Sequence, residues 1–290
     1  MKYHGTWKAL YMDPSDGMNG VLGYTTTMDE VNEKMTQIGL QLYTVRDHLE
    51  QDFEGTLRKV AKLGYKGVEF AGFYGRSVEQ VQEILRETGL TAIGAHTPYN
   101  RLKEALDEEL AFNKAIGSRY IIVPYLAEED RNRWSEIIED LKIFGERCKE
   151  EGLVLCYHNH DFELTLQHEG KPALDAIYEQ VPESLLQVEL DSCWVAFAGS
   201  DPLEYIATYQ GRLPLVHWKD LVKKADGSPE TVELGRGEIA ITDIGDASIA
   251  AGVKWLIVEQ DYCAADPLDS IQTSMEWVRA YAEKGGKLHV

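Results

Sequence analysis

From Ile38 onward, strand-sized apolar runs and amphipathic helical segments follow one another in strict alternation, eight of each. Ile38 to Val45 reads as the first strand, and Asp52 then precedes a segment in which Phe53, Leu57, Val60 and Ala61 repeat at the helical period, closed by Gly64. Gly67-Val68-Glu69-Phe70 is the next strand, followed by Ser77 and Gln80, a capping box opening a helix that ends at Gly89. The same grammar gives strand Thr91 to His96, helix Leu102 to Ile116, strand Tyr120 to Pro124, helix Arg131 to Glu151 and a strand from Leu153 into His158-Asn159-His160. In the second half, Asp201-Pro202 and Asp266-Pro267 each place a side-chain cap before a proline at the first helical position.

Runs apolar on both faces and joined by helices belong to parallel sheets, and eight such units close a barrel. The expected fold is a single (β/α)8 TIM barrel over residues 35–290, with residues 1–34 as an N-terminal extension of turn-rich sequence. An open doubly wound sheet is the alternative, but no strand is followed by GxGxxG; Leu234-Gly235-Arg236-Gly237-Glu238-Ile239 does not supply it.

Composition narrows the class of partner. A net charge of −20 opposes binding to nucleic acid, whose backbone is gripped by clustered Lys and Arg. The longest apolar runs are strand-sized and the N-terminus is polar, so neither a membrane span nor a secretory leader is expected, and the default location is cytoplasmic. The four cysteines, Cys148, Cys156, Cys193 and Cys263, show no CxxC spacing and read as free thiols.

In a barrel of this kind the carboxyl ends of the strands meet at one mouth, where active sites lie. Glu69, His96, His158, His160, Asp191, His217, Lys219 and Glu259 all fall at such ends. Strand alternation puts His158 and His160 on one face with Cys156. Each group has a structural explanation when taken alone, such as an Asp capping the next helix. Together they would be costly to bury without a cation or ligand to satisfy them. Imidazoles mixed with carboxylates suit Mn, Co, Zn or Fe better than Mg. A cation with open positions can hold a hydroxy-ketone and acidify the adjoining C–H, which a neighbouring base then deprotonates.

From Met35 onward, YTVRD (43–47), GVEF (67–70), GAHTPY (94–99), LCYHNHDFE (155–163), ELDSCW (189–194), HWKD (217–220), LGRGEI (234–239) and IVEQD (257–261) resemble the xylose isomerase-like barrel superfamily. That superfamily takes in sugar and sugar-phosphate isomerases and epimerases, inosose dehydratase and endonuclease IV. The resemblance implies one divalent cation held on strands five to eight, at positions that map to His158, Asp191, His217 and Glu259. The epimerase branch uses glutamates on strands five and eight; His158 departs from that pattern and brings the sequence closer to the inosose dehydratase-like branch. His160 is then an alternative ligand or the base, His96, Lys219 and Glu69 resemble substrate contacts, and Arg236 lies on a loop able to close over the mouth. The leading expectation is a metal-dependent isomerase or epimerase of a sugar, sugar phosphate or cyclitol, with Glu259 and His158 or His160 moving the proton. The alternative is a lyase acting through the same enolate, and a hydrolase or a non-catalytic sugar-binding barrel stands behind both. Arg46, Lys219 and Arg236 are the candidates for an anion pocket, and a dimer or tetramer is expected by analogy with other barrels.

Overall fold

The computed structural model describes residues 35–285 and 288–289; the expectation for residues 1–34 falls outside them. Eight parallel strands form the barrel: β1 (Thr36–Gln41), β2 (Gly67–Phe70), β3 (Thr91–His96), β4 (Tyr120–Val123), β5 (Val154–His158), β6 (Gln187–Asp191), β7 (Leu215–Trp218) and β8 (Trp255–Val258). They are hydrogen-bonded in sequence order, and β8 returns to β1 with Gln37 opposite Trp255, so the sheet is closed and the open doubly wound alternative is excluded. A short segment, Leu288–His289, also pairs with β1.

The outer helices are α1 (Phe53–Leu63), α2 (Val78–Thr88), α3 (Tyr99–Ala115), α4 (Trp134–Glu150), α5 (Ala173–Gln180), α6 (Pro202–Thr208), α7 (Ile241–Ala251) and α8 (Pro267–Glu283). Their ends obey the local chemistry read from the sequence. Asp52, Asp201 and Asp266 accept backbone N–H bonds at the starts of α1, α6 and α8, and both bonds of the Ser77–Gln80 capping box form on α2. Helix α3 starts three residues before the expected Leu102 and is interrupted by non-helical backbone at Ala105.

Two apolar layers result. The larger lies between sheet and helices and includes Ile38, Val68, Ile121, Tyr157, Val188 and Trp218. The smaller lies inside the barrel and comprises Ile93, Tyr120, Ile122, Cys156, Leu215, Trp255 and Ile257. It plugs the barrel from its amino-terminal end, so the inward positions nearer the carboxyl ends of the strands are left for polar groups.

Two expected strand limits move. The first strand does not continue to Val45: the Gln41 side chain accepts the Tyr43 N–H, and Leu42–Val45 turns as a 3-10 helix. The fifth strand stops at His158, short of His160. There Asn159 exchanges hydrogen bonds with the Asp191 backbone, and the His160 N–H is taken by the Glu163 carboxylate, which draws the chain out of the sheet. Among the described residues, no helix is long and apolar enough to cross a membrane.

Candidate active site

His158, Asp191, His217 and Glu259 each offer one ligand atom, and those atoms all lie within 4.8 Å of one another. Register brings them together. Asp191 stands opposite His217 in the β6–β7 pairing, and Glu259 follows directly after β8. Asp191 combines the two readings open to it. Its Oδ1 caps the helix Ser192–Phe197 by accepting the N–H groups of Cys193 and Trp194, both at 3.0 Å. Its Oδ2 turns into the cluster, 3.7 Å from His158 Nε2 and 3.1 Å from Lys219 Nζ, and the lysine contact lacks hydrogen-bond geometry. A fully buried carboxylate oxygen without a hydrogen-bond partner, set among two imidazoles and a second carboxylate, fits a divalent cation.

Lys219 is completely buried and lies 3.0 Å from Glu259 Oε2 and 2.7 Å from Asp261 Oδ2. Burial by itself would discharge it, but Asp191, Asp261 and Glu259 outweigh that effect and keep it protonated. The same pairing acts on Glu259. Burial works to raise its carboxyl pKa, and Lys219 and His217 override it, so Glu259 stays ionised. His217 Nδ1 lies 2.8 Å from Glu259 Oε2.

Beneath this set is a second tier that the sequence reading had only in part. Glu189, two residues before Asp191 and opposite His158 in the β5–β6 register, is fully buried. Glu69 is fully buried beside it, and its Oε2 accepts from Gln41 Nε2 at 2.6 Å. His96 Nε2 spans the pair, 3.0 Å from Glu69 Oε2 and 2.9 Å from Glu189 Oε2, and its ring stacks on that of His217 with centroids 5.4 Å apart. Burial and the Glu69 charge raise the pKa of Glu189. Glu69 feels burial too, but His96 and His217 hold it below the carboxylate range.

Above the cluster a cavity of about 520 Å³ opens to solvent, lined by Tyr43, Ala71, Gly72, His96, Pro98, Pro124, Tyr125, His158, His160, Glu259 and Asp261. His160 reaches it although the strand has ended. Its ring centroid is 5.1 Å from that of His158, among Tyr125, Phe162 and Trp194. Burial, seconded by the charge of Lys219, lowers its pKa to about 3, so the ring is neutral at ordinary pH. A smaller cavity, about 440 Å³ around Arg119, Lys149 and Gln187, lies at the opposite end of the strands and holds none of these groups.

Seven of the expected site residues thus lie together in one cluster: His96, His158, His160, Asp191, His217, Lys219 and Glu259. Glu69 lies in the tier beneath that cluster and does not line the cavity. Arg236 stands apart, exposed and paired with Glu233 at 3.1 Å. Its loop is tied down by Asp220, whose carboxylate accepts the N–H groups of Gly235, Gly237 and Ile239. Gly235 takes a φ of +83°, and a Cβ on Gly237 would meet Asp220 Oδ1 at 2.0 Å, so both glycines serve that wrapping. Arg46 donates to the backbone oxygens of Tyr43 and Asp261, which commits its guanidinium to the rim. Glu189, Asp261 and Glu163 were missed. Glu189 was detectable, since the alternation that pairs His158 with His160 also pairs Glu189 with Asp191. Asp261 lies in an irregular segment, and Glu163 in the helix Phe162–Thr165, which is too short to show a period.

The comparisons agree with this architecture. The model of the xylose isomerase-like TIM barrel matches residues 57–281. An inosose dehydratase of Clostridium perfringens is 25% identical over 272 residues, spanning 79% of this chain and 90% of that protein. One from Lacticaseibacillus casei is 21% identical, spanning 76% and 86%. The fold also superposes on a sugar phosphate isomerase/epimerase from Parabacteroides distasonis, with a TM-score of 0.70 at 20% identity over 89% of this chain and 98% of that one. An L-ribulose 3-epimerase gives 0.66 at 16% identity over 86% and 95%. With the family model matched over most of the barrel, this chain belongs to the xylose isomerase-like TIM barrel family.

Proposed function

We propose that the chain is a divalent-metal-dependent lyase that dehydrates a keto-cyclitol or a closely related keto-sugar, starting from removal of a proton next to the ketone. The observation that carries this reading is the make-up of the cavity wall: Glu259 on one side of the cluster, and imidazoles, His158 and His160, at the fifth strand. A two-glutamate exchange of protons on opposite faces of a substrate has no second glutamate among the described residues lining this cavity. The inosose dehydratase relatives support the same reaction class.

His158, Asp191, His217 and Glu259 would hold the cation, which when bound polarises the substrate ketone and acidifies the neighbouring C–H. His160, neutral and facing the cavity, accepts the proton from that carbon through a ring nitrogen. The electron pair left on carbon forms the C=C bond as the β-hydroxyl departs. The imidazolium of His160 returns its proton to that hydroxyl, which leaves as water. Lys219 holds Glu259 and Asp261 in place at the cavity wall. Mn, Co and Zn suit the donor set better than Mg.

The alternative that shares the first step is isomerisation or epimerisation, in which the same carbon or its neighbour is reprotonated. Incubation of the metal-loaded protein in heavy water with a panel of keto-inositols and ketoses tests both. The expected product has lost one water by mass and absorbs as a conjugated ketone; His160→Gln is expected to lower turnover about 10²- to 10⁴-fold with its metal content unchanged. An isomer carrying solvent deuterium, with no loss of water, would replace the lyase reading by the isomerase one. A panel in which no substrate loses water and none takes up solvent deuterium would end both.

A further inference from the structure

The two tiers of the site share His158 and His217, and each ring addresses them with different nitrogens. His158 turns Nε2 toward Asp191, at 3.7 Å, and Nδ1 toward Glu189 Oε2, at 3.1 Å. His217 turns Nδ1 toward Glu259, at 2.8 Å, and Nε2 toward Glu69 Oε2, at 2.8 Å, with Glu189 Oε2 at 3.4 Å. Each ring therefore has one nitrogen facing the mouth and the other facing the buried pair of glutamates.

A second ligand-like grouping exists in the lower tier, formed by His96, His158, Glu189 and His217. Filling both groupings with cations would require both rings to give up both ring protons. A ring that ligates through one nitrogen normally keeps the other as N–H, and that N–H needs an acceptor. The lower tier supplies one at each ring. It is itself held rigidly, since Glu69 is fixed by Gln41 and His96, and Glu189 by His96.

We propose that Glu69 and Glu189 are positioning residues, a carboxylate floor that keeps His158 protonated at Nδ1 and His217 at Nε2, so that both lone pairs face the mouth and the cation is held in the upper tier alone. The inference rests on the metal-dependent reading of the site, and gives the buried glutamates a role that touches neither substrate nor cation. It also means that the site takes one divalent ion, not two.

The test uses the full chain and Zn²⁺ as probe. Zn²⁺ affinity is measured by competition with a chelating dye in the wild type, Glu69→Gln and Glu189→Gln, and ring-nitrogen NMR of 15N-histidine protein reads the tautomers with and without Zn²⁺. The expected results are one Zn²⁺ per chain, Nδ1–H on His158 and Nε2–H on His217 when loaded, and an affinity lower by about 10- to 100-fold in each variant whose circular dichroism matches the wild type. Affinity unchanged within about twofold in both folded variants, opposite tautomers, or two equivalents of Zn²⁺ would overturn the proposal. Should either variant fail to fold, the wild-type tautomers decide. A wild type that takes up no Zn²⁺ would remove the metal-dependent reading, and the His158 ring would still judge the floor: Nδ1–H upholds it and Nε2–H overturns it.

Discussion

The lower and upper halves of the barrel interior are built on the same strands, two residues apart, with opposite chemistry. Below are Cys156, Leu215 and Ile257; directly above them come His158, His217 and Glu259. The lower groups are satisfied by contact alone and are indifferent to the order of their neighbours. The upper ones are ionisable and buried, so each is tolerable only with a specific partner at hydrogen-bond distance. Packing closes the barrel, and the polar tier depends on that closure because its partners come from strands far apart in the chain.

The sharpest break falls in the upper half. His217→Ala, or removal of divalent ions by a chelator, is expected to lower turnover by about 10⁴-fold, equivalent to roughly 5 kcal/mol of barrier. Readdition of Mn²⁺, Co²⁺ or Zn²⁺ should restore only the chelated wild type. Retained activity in the metal-stripped protein would contradict the assignment.

Lys219→Met tests what the buried cation does for stability. It leaves Asp191 and Glu259 without their compensating charge and is expected to cost about 3–5 kcal/mol in denaturant unfolding of the metal-free protein. A divalent ion should recover part of that loss, because it supplies the missing positive charge; an equal loss with and without metal would show that the lysine acts independently of the site.

Leu215→Ala in the lower half creates a cavity and is expected to cost about 2–5 kcal/mol, with metal stoichiometry unchanged. If this variant loses its metal as well as its stability, the two halves are not separable as drawn.

At Glu163 the expected effect is a change of slope with pH rather than a loss at one pH. Burial raises its pKa to about 8, against its acceptance of bonds from Tyr157 and the His160 N–H. The folded state therefore holds a proton that the unfolded chain has released above its own pKa near 4.5. The stability contributed by Glu163 is complete below that pH and declines as pH rises through about 8. Glu163→Gln should flatten the fall in unfolding free energy between those limits; an unaltered slope would assign the pH dependence to other groups.

Much of the barrel was legible because its rules are local. Apolar periodicity separates strand from helix, and Asp52, Ser77, Asp201 and Asp266 mark helix starts within a few residues of their partners. The cluster His158, Asp191, His217 and Glu259 was legible for a related reason: strand ends in a parallel barrel converge, whichever residues they carry. Strand termini were less accessible. Those of β1 and β5 depend on Gln41 folding back on Tyr43, and on Asn159 reaching Asp191 across 32 residues. Asp220 was equally hidden, since its carboxylate is occupied by a loop 15 to 19 residues downstream.

By itself, then, the sequence determined the alternation, the closed parallel barrel and the set of ionisable groups carried to its mouth, because period and capping act over a few residues. Only the tertiary structure decided their depth. Strand register puts Glu189 level with His158 and Asp191 level with His217, and closure of the sheet sets Glu69 against His217 across 148 residues. Whether a buried carboxylate faces the mouth or supports a neighbour's ring is a matter of two residues along a strand, and that depth is fixed by pairing between strands rather than by any residue's own neighbours.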